Sequence, residues 1–170
     1  MKHRLLLVDD DSLVLEFLEE TLRDQGYELK TAHSAESALA ALKAERFNLV
    51  LSDIRMGGMD GITLLSKIKE ERPEVTVVMM TAFGTVDTAV LAMKLGAFDF
   101  IMKPMSPDVV RVRLQKALEH VELKREVKTL RAGSTRHYRD IIGRSTAMRD
   151  VFEKIQTAAP SRATVLITGE

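Results

Sequence analysis

The sequence predicts an α/β domain in which helices cover both faces of a parallel sheet. Short runs of branched apolar residues alternate with longer stretches of helical spacing, five times within about the first 120 residues. Three of the five runs are apolar on both faces, which is typical of parallel strands buried between two layers of helices. Together these observations favour a doubly wound fold with right-handed crossovers.

Five runs carry the strand pattern, because each is short and rich in Leu, Val, Ile or Met. They are RLLLV (4–8), YELKTA (27–32), NLVLS (48–52), VTVVMM (75–80) and FDFIM (98–102). The second run alternates apolar and polar residues, so we expect that strand at an edge of the sheet.

A helix is predicted after each strand. The predicted helices begin at Ser12, at Ser34 and at Asp60, cover 85–95, and begin again at Ser106-Pro107, a serine N-cap followed by a first-turn proline. In the first helix an apolar stripe recurs at three- and four-residue spacing and predicts the face that packs on the sheet. This stripe consists of Leu13, Phe17, Leu18, Thr21 and Leu22.

The last of these helices runs on past the sheet and changes its apolar face near residues 121–123. We expect the first stripe, with Leu114 and Val121, to lie on the sheet, and the second to pair with another copy of the chain. A solvated helix is the alternative for the second stripe. The candidate dimer and linker positions are Leu114, Val121, Leu123, Val127 and Leu130.

A second domain is predicted to begin beyond the segment AGSTR (132–136), whose small and polar residues indicate a break. The helical pattern of STAMRDVFEKIQTAA (145–159) and the strand pattern of ATVLITG (163–169) follow it, too little to close a core. The expected organisation is therefore a domain over 1–120, a helical or coiled-coil linker over 121–136, and a domain fragment over 137–170.

The composition indicates a globular protein without a bulk attraction to nucleic acid or to membranes. The 25 basic and 25 acidic residues cancel, and no apolar run approaches the length of a membrane span or a signal peptide. The absence of cysteine suits a reducing compartment, so we expect a cytoplasmic protein.

Polar side chains stand at four of the predicted strand ends. Asp9 and Asp10 follow the first strand, Asp53 the third, Thr81 the fourth and Lys103 the fifth. Because the carboxyl ends of parallel strands share one edge, where open α/β sheets bind ligands, these residues are expected to converge. Each aspartate alone is typical of a turn or a helix cap, and the hypothesis depends on the set.

The converged residues match the needs of a phosphoryl group. Three neighbouring carboxylates repel one another unless a cation relieves them, and Mg²⁺ or Mn²⁺ prefers such oxygen ligands. A lysine ammonium and a threonine hydroxyl can hold further phosphoryl oxygens, and an aspartate can be the nucleophile that forms an acyl phosphate. Asp53 is the candidate acceptor.

The segments LLLVDDDS, LVLSDIRMGGMDG, VVMMTAFG and FDFIMKP resemble the signature of the receiver domain of two-component response regulators. This resemblance covers residues 1 to about 120. It implies a (βα)5 flavodoxin- or CheY-like fold with strand order 2-1-3-4-5. It also implies a phosphorelay in which a sensor histidine kinase phosphorylates Asp53, with autophosphatase activity rather than enzymatic turnover.

The resemblance implies a role for each matching residue. Asp10 would bind the metal directly, Asp9 through water, and Arg55 through its backbone carbonyl, beside Asp53 itself. Thr81 and Lys103 would hold the phosphoryl oxygens.

Three further positions carry expectations from the same resemblance. Phe100 stands at the position of the switch aromatic, and the Lys103–Pro104 peptide bond is expected to be cis. Gly57 replaces a proline that is usual in the family, so altered loop mobility is expected there.

The tail from IIGRSTAMRD to LITGE resembles the opening of the AAA+ domain of NtrC-like activators of sigma-54 RNA polymerase. Its phosphate-binding loop would begin at Gly169, so this chain is expected not to hydrolyse ATP, and to meet sigma-54 polymerase and DNA only through domains absent from it. The full expectation is a magnesium-dependent phosphoacceptor whose phosphorylation switches a dimer and gates an attached transcriptional activator.

Three alternatives remain open at this stage. A metal-dependent hydrolase of small phosphoesters would need an acid two residues after Asp53, where Arg55 stands. A flavodoxin-like cofactor carrier would need hydroxyls and glycines after the first strand rather than three aspartates. A constitutive dimerisation module would need no phosphoryl group at all.

Overall fold

The computed structural model describes residues 3–82, 86–134 and 145–159 of the 170-residue chain. Its strands form one parallel sheet in the order β2-β1-β3-β4-β5, which confirms the predicted order and the edge position of the second strand. Each observed strand boundary lies within one residue of its prediction. The strands are β1 (Arg4–Val8), β2 (Glu28–Ala32), β3 (Leu49–Asp53), β4 (Thr76–Thr81) and β5 (Asp99–Met102).

Helices follow the strands as the sequence predicts. They are α1 (Ser12–Leu22), α2 (Ala35–Ala44), α3 (Gly61–Glu71), α4 (Val86–Lys94), α5 (Pro107–Ser134) and, beyond the sheet, α6 (Thr146–Ala158). Polar side chains cap their first turns, as N-caps commonly do: Asp11 caps α1, Ser34 caps α2 and Asp60 caps α3. The predicted start of the fourth helix, residue 85, lies outside the described residues.

Two apolar layers bury the sheet on its two faces. One layer joins the sheet to α1 and α5 through side chains such as Leu18 and Leu114, both fully buried. The other layer joins it to α2, α3 and α4 through Leu42, Leu64 and Ala92. Because β1, β3 and β4 contribute apolar side chains to both layers, the double-sided pattern of the sequence is explained.

The predicted apolar stripe of α1 is wrong at Leu13. This side chain is 73% exposed, whereas Leu15 is buried with Leu18 and Leu22. Residues 13 and 15 are two apart and therefore lie on roughly opposite sides of a helix with 3.6 residues per turn. The side of α1 that carries Leu15 packs on the sheet, so Leu13 lies on the surface.

The predicted break over 132–136 is wrong for its first three residues, because α5 continues through Ser134. Ala132 is a favourable helix residue, and a glycine such as Gly133 costs a helix only about 1 kcal/mol relative to alanine. Residues 135 and 136 lie outside the described part of the chain.

The chain divides into two compact units, Met1–Glu126 and Val127–Glu170. In the second unit, α6 confirms the helical pattern predicted over 145–159, and its Met148, Phe152 and Ile155 are half-buried. The predicted strand 163–169 lies outside the described residues. Among the helices that the structure describes, none combines the length and apolarity needed to cross a membrane.

Candidate functional site

Polar residues from four neighbouring strands meet at the carboxyl edge of the sheet. Asp9 follows β1, Asp53 is the last residue of β3, and Thr81 is the last residue of β4. Lys103 follows β5, and its side chain extends across β4 to reach both aspartates. Contacts therefore join Lys103, Asp9 and Asp53 at this edge, and Thr81 ends the strand that lies between β3 and β5.

The Lys103 ammonium neutralises two buried carboxylates together. Its Nζ lies 2.6 Å from Oδ2 of Asp9 and 2.8 Å from Oδ1 of Asp53. Burial by itself lowers the pKa of Lys103, but the contacts with Asp53 and Asp9 outweigh it and raise the pKa above the usual value. Lys103 is therefore a fixed positive charge at neutral pH.

The Asp53 carboxylate is buried and has one oxygen free of hydrogen bonds. Its Oδ2 accepts the backbone N–H of Arg55 over 2.8 Å, which fixes the orientation of the group. Its Oδ1 is buried and makes no hydrogen bond in the structure, although it forms the ion pair with Lys103. An oxygen held in this way is available to a further cation or to an electrophile.

Asp9 and Asp10 are adjacent in sequence but differ in environment. Asp9 is buried, its Oδ1 accepts the N–H of Asp11 over 3.0 Å, and burial raises its pKa despite the contact with Lys103. Asp10 is exposed, and its Oδ2 accepts the N–H of Gly57 over 2.9 Å. The ionised form of Asp9 therefore benefits from positive charge, while Asp10 is turned toward the β3–α3 loop.

The donors at this edge suit a hard divalent cation. Three carboxylates and the backbone carbonyl of Arg55, which follows β3, are oxygen ligands of the kind that Mg²⁺ prefers. The Oδ1 atom of Asp53 has only the Lys103 ammonium as its partner. In the residues described, however, no three acidic or imidazole side chains are grouped closely enough to hold a metal. Lys103 stands between Asp9 and Asp53, and Asp10 is bound elsewhere.

Thr81 and Phe100 lie on the same face of the sheet. Thr81 is buried, and Phe100 is half-buried against the layer formed with α2, α3 and α4. Phe100 pairs in register with Met79, two residues before Thr81, so the two side chains are diagonal neighbours on adjacent strands. Three residues after Phe100, the Lys103–Pro104 peptide bond is cis.

The candidate dimer positions on α5 separate into buried and exposed ones. Leu114 is fully buried in the core, which removes it from the surface open to a second chain, and Val121 is half-buried. Leu123 is 60% exposed and Val127 is 46% exposed. The side chain of Leu130 lies outside the described part of the structure.

Two residues that support the site were missed in the sequence. Glu36 of α2 accepts the Met59 N–H over 3.3 Å and so reaches the β3–α3 loop, a contact that no spacing predicts. At Gly61 a Cβ atom would lie 2.0 Å from the carbonyl oxygen of Asp53, so only glycine fits. The Asp-Gly pair at 60–61 is the sequence signal that could have indicated this close approach.

Comparison with known proteins agrees with this geometry. Residues 5–115 match the response regulator receiver domain family. The chain is 39% identical over 171 residues to the nitrogen assimilation regulatory protein NtrX of Azorhizobium caulinodans, covering 99% of this chain and 37% of the relative. It is 41% identical over 166 residues to the transcriptional regulatory protein ZraR of Salmonella typhimurium, covering 98% and 37%.

A solved structure of NtrX from Brucella abortus in complex with ADP superposes with a TM-score of 0.73 at 39% identity, covering 95% of this chain and 35% of that one. The chain belongs to the response regulator receiver family. Within that family it is similar to the NtrC-like, sigma-54-dependent regulators, of which NtrX, ZraR and NtrC are examples. It spans a little over a third of the length of these relatives.

Proposed function

We propose that Asp53 accepts a phosphoryl group from a phosphohistidine of a sensor histidine kinase, in the presence of Mg²⁺ or Mn²⁺. The observation that carries this proposal is the buried Oδ1 of Asp53, which makes no hydrogen bond and lies 2.8 Å from the Lys103 ammonium. A carboxylate that is oriented and paired with a cation, at the edge where ligands bind, suits an acceptor.

The transfer exchanges one bond for another. A carboxylate oxygen of Asp53 forms a bond to phosphorus as the P–N bond of the phosphohistidine breaks, and the leaving imidazole nitrogen keeps the electron pair. Lys103 stays charged and neutralises a phosphoryl oxygen. Later attack of water releases inorganic phosphate, which is the expected autophosphatase step.

The cation would be held by the carboxylates of Asp9, Asp10 and Asp53 and by the carbonyl of Arg55. When bound, it supplies positive charge that offsets the charge of the phosphoryl oxygens. Asp9 supports this assignment, because its burial raises its pKa and makes its ionised form dependent on nearby positive charge.

The switch would run through Thr81 and Phe100. A phosphoryl group on Asp53 offers the buried Thr81 hydroxyl a charged acceptor, and movement of Thr81 opens space toward its diagonal neighbour Phe100. Phosphorylation then favours the state in which both have moved, by its differential interaction with the two states. The surface formed by α4, β5 and α5 would carry this change to the output.

The output would be a change in self-association through α5. The exposed Leu123 and Val127 offer apolar surface for a second copy of the chain. In this proposal residues 1–120 are the receiver, 121–136 are the linker, and 137–170 begin an ATPase domain of a sigma-54-dependent activator. That activator would act in the cytoplasm and would meet RNA polymerase and DNA through domains beyond this segment.

The kinase would approach along α1. A cavity of about 220 Å³ adjoins Lys103 and is lined mainly by apolar side chains, among them Leu13, Phe17, Pro104 and Met105. Because it borders the acceptor edge, a kinase helix seated there would bring its phosphohistidine to Asp53. Leu13 of α1 is 73% exposed, so it offers the kinase helix an apolar contact.

Intact-protein mass spectrometry tests the acceptor. The chain is incubated with Mg²⁺ and a small acyl-phosphate donor, beside Asp53→Asn and beside a sample with chelator. One phosphoryl adduct that requires both Mg²⁺ and Asp53 is expected. Catalytic turnover of small phosphoesters would favour the hydrolase instead, and absence of an adduct on folded protein would favour a constitutive dimerisation module.

A further inference from the structure

We infer that the backbone N–H of Gly57 is a latch on Asp10, which opens when Asp10 joins the cation. This inference rests on the proposed function, because it concerns the cation held by Asp9, Asp10 and Asp53. In the structure the Gly57 N–H donates to Oδ2 of Asp10 over 2.9 Å. A hydrogen bond to a carboxylate occupies a lone pair and holds the group in one direction.

The donor side of this hydrogen bond is held in place by the loop around it. The Met59 N–H donates to Oε1 of Glu36 over 3.3 Å, which ties the loop to α2. The Gly61 N–H donates to the carbonyl of Ile54 over 2.8 Å, which closes the far end of the loop. Gly57 therefore lies between Ile54 and Met59, both of which are held by these hydrogen bonds, so its N–H is restricted in following a moving acceptor.

The acceptor side is a side chain, which is able to change rotamer, whereas the donor belongs to the backbone. Asp10 is exposed, and its hydrogen bond with Gly57 directs it to the β3–α3 loop. Lys103 meanwhile bridges Asp9 and Asp53, and among the described residues no three acidic or imidazole side chains form a metal-holding group. For Asp10 to become the third carboxylate of such a group, it has to turn away from Gly57.

A residue other than proline at position 57 is what makes the latch possible, because the donor is a backbone N–H. Proline, which is usual at this position in the family that the sequence resembles, has no N–H and could not bind Asp10 in this way. The glycine therefore adds a competitor for one ligand without altering the ligand set. The consequence is weaker binding of the divalent cation than the same site would have without the donor.

Cation binding to the full chain tests the latch directly. The dissociation constant for Mn²⁺ is measured by electron paramagnetic resonance of the free ion, for the wild type, Gly57→Pro and Gly57→Ala. We expect Gly57→Pro to bind Mn²⁺ about tenfold more tightly, since a net hydrogen bond to a charged group no longer has to be broken.

Gly57→Ala is the matched control, because it keeps the N–H. A Cβ at this position would lie 3.9 Å from Oδ2 of Asp10, an ordinary van der Waals distance, so we expect its dissociation constant to equal that of the wild type. Asp10→Asn identifies the site, because it should weaken Mn²⁺ binding in any background.

A second measurement on the wild type covers the case in which Gly57→Pro distorts the loop. The Gly57 amide proton is followed by NMR during a Mg²⁺ titration, and it should shift upfield as the charged acceptor leaves. Retention of its shift in the saturated protein would overturn the latch, as would Mn²⁺ binding by folded Gly57→Pro that is unchanged or weaker.

Loss of the proposed function gives a different result. If the wild type binds no divalent cation, or if Asp10→Asn binds as well as the wild type, the proposed cation site is wrong, and the latch is overturned together with it. If the wild type binds through Asp10 and forms the Asp53 adduct while Gly57→Pro gains nothing, the latch alone is overturned.

Discussion

At the scale of single residues, the site depends on one ammonium shared between two carboxylates. Lys103 Nζ lies within 3 Å of oxygens from both Asp9 and Asp53, and all three side chains are largely buried. Removing one partner from such a group leaves uncompensated charge, which costs more than the pair contributes when it is intact. Two carboxylates against one ammonium leave excess negative charge, which a divalent cation is able to offset.

Lys103→Met tests this electrostatic arrangement. Without divalent cation we expect the free energy of unfolding to fall by about 3 kcal/mol or more, since the buried carboxylates of Asp9 and Asp53 are then left without a compensating charge. Mg²⁺ should stabilise the variant more than it stabilises the wild type. Urea unfolding with and without Mg²⁺ measures both, and Lys67→Met, at an exposed helix position, is the control. Equal losses in the two variants would contradict the prediction.

Gly61→Ala tests the close approach between α3 and the end of β3. The added Cβ would lie 2.0 Å from the Asp53 carbonyl oxygen, and backbone has to move to admit it, so we expect a loss of about 3 kcal/mol or more. Gly26→Ala is the matched control. Its φ is +74° and no atom lies within 4 Å of the added Cβ, so a loss of about 1 kcal/mol is expected. Thermal and urea unfolding compare the two, and similar losses would refute the steric argument.

At the scale of elements, α5 changes from a buried helix to an exposed one along its length. Its first half supplies Val110, Leu114, Ala117 and Leu118 to the core. Farther along, Leu123 is exposed on the same helix. Where the sheet ends, the requirement for burial ends with it. Single exposed apolar side chains are common on protein surfaces, so the proposed self-association through Leu123 has to be tested directly.

His120, near the middle of α5, should make folding stability depend on pH. Its ring lies 4.8 Å from that of Phe98, and burial, with Lys124 and Lys69 nearby, lowers the pKa of His120. The unfolded chain then binds a proton more readily than the folded one. Stability is therefore fully present above the unfolded pKa of about 6.5 and is lost as pH falls through the lower folded pKa.

Urea unfolding between pH 5 and 8 measures this contribution. His120→Phe keeps an aromatic ring against Phe98 and should flatten the decline in stability toward low pH. His33→Gln, at an exposed position, should leave the decline as it is in the wild type. If the two variants give the same profile as the wild type, another group is responsible.

Leu123→Glu tests the surface of α5 as a dimer contact. Burying a leucine contributes roughly 1.5–3 kcal/mol, so its replacement by a charge should raise the dissociation constant of the dimer at least about tenfold. Sedimentation equilibrium measures this for the unphosphorylated and phosphorylated chains. Leu13→Glu alters an exposed leucine on α1 and should leave association unchanged. A similar effect of both changes would point to non-specific association.

At the scale of the whole molecule, the chain consists of two compact units, and the acceptor site belongs to the first. Both apolar layers of the sheet are completed by residues before Glu126. A unit that closes its own core is able to fold by itself. The second unit contributes none of the residues of the acceptor edge.

A chain ending after Glu126 should therefore keep its fold and its acceptor. We expect one cooperative unfolding transition, with a midpoint within a few degrees of the main transition of the full chain. Such a shift corresponds to a change of less than about 1 kcal/mol in the free energy of unfolding. Calorimetry measures the midpoint, and the Mg²⁺-dependent adduct on Asp53 reports the site. A loss of cooperativity would mean that the first unit depends on residues after 126.

The sequence determined the order of the elements, the parallel sheet and the set of residues at its carboxyl edge. It could do so because strand and helix periods differ, and because parallel strands bring Asp9, Asp53, Thr81 and Lys103 to one edge whatever their separation in the chain. Helix starts were also predictable, since caps such as Ser34 act within one turn.

Tertiary structure alone decided which atoms touch. Periodicity predicted that Leu13 packs on the sheet, but the structure buries Leu15 instead. The small and polar residues of 132–136 predicted a break, but α5 continues through Ser134. Lys103 forms ion pairs with Asp9, 94 positions away, and with Asp53, 50 positions away. The N–H of Gly57 donates to Asp10, 47 positions away. Local propensity acts over a few residues, whereas such contacts depend on distances of a few ångströms that only the packed sheet and loops fix.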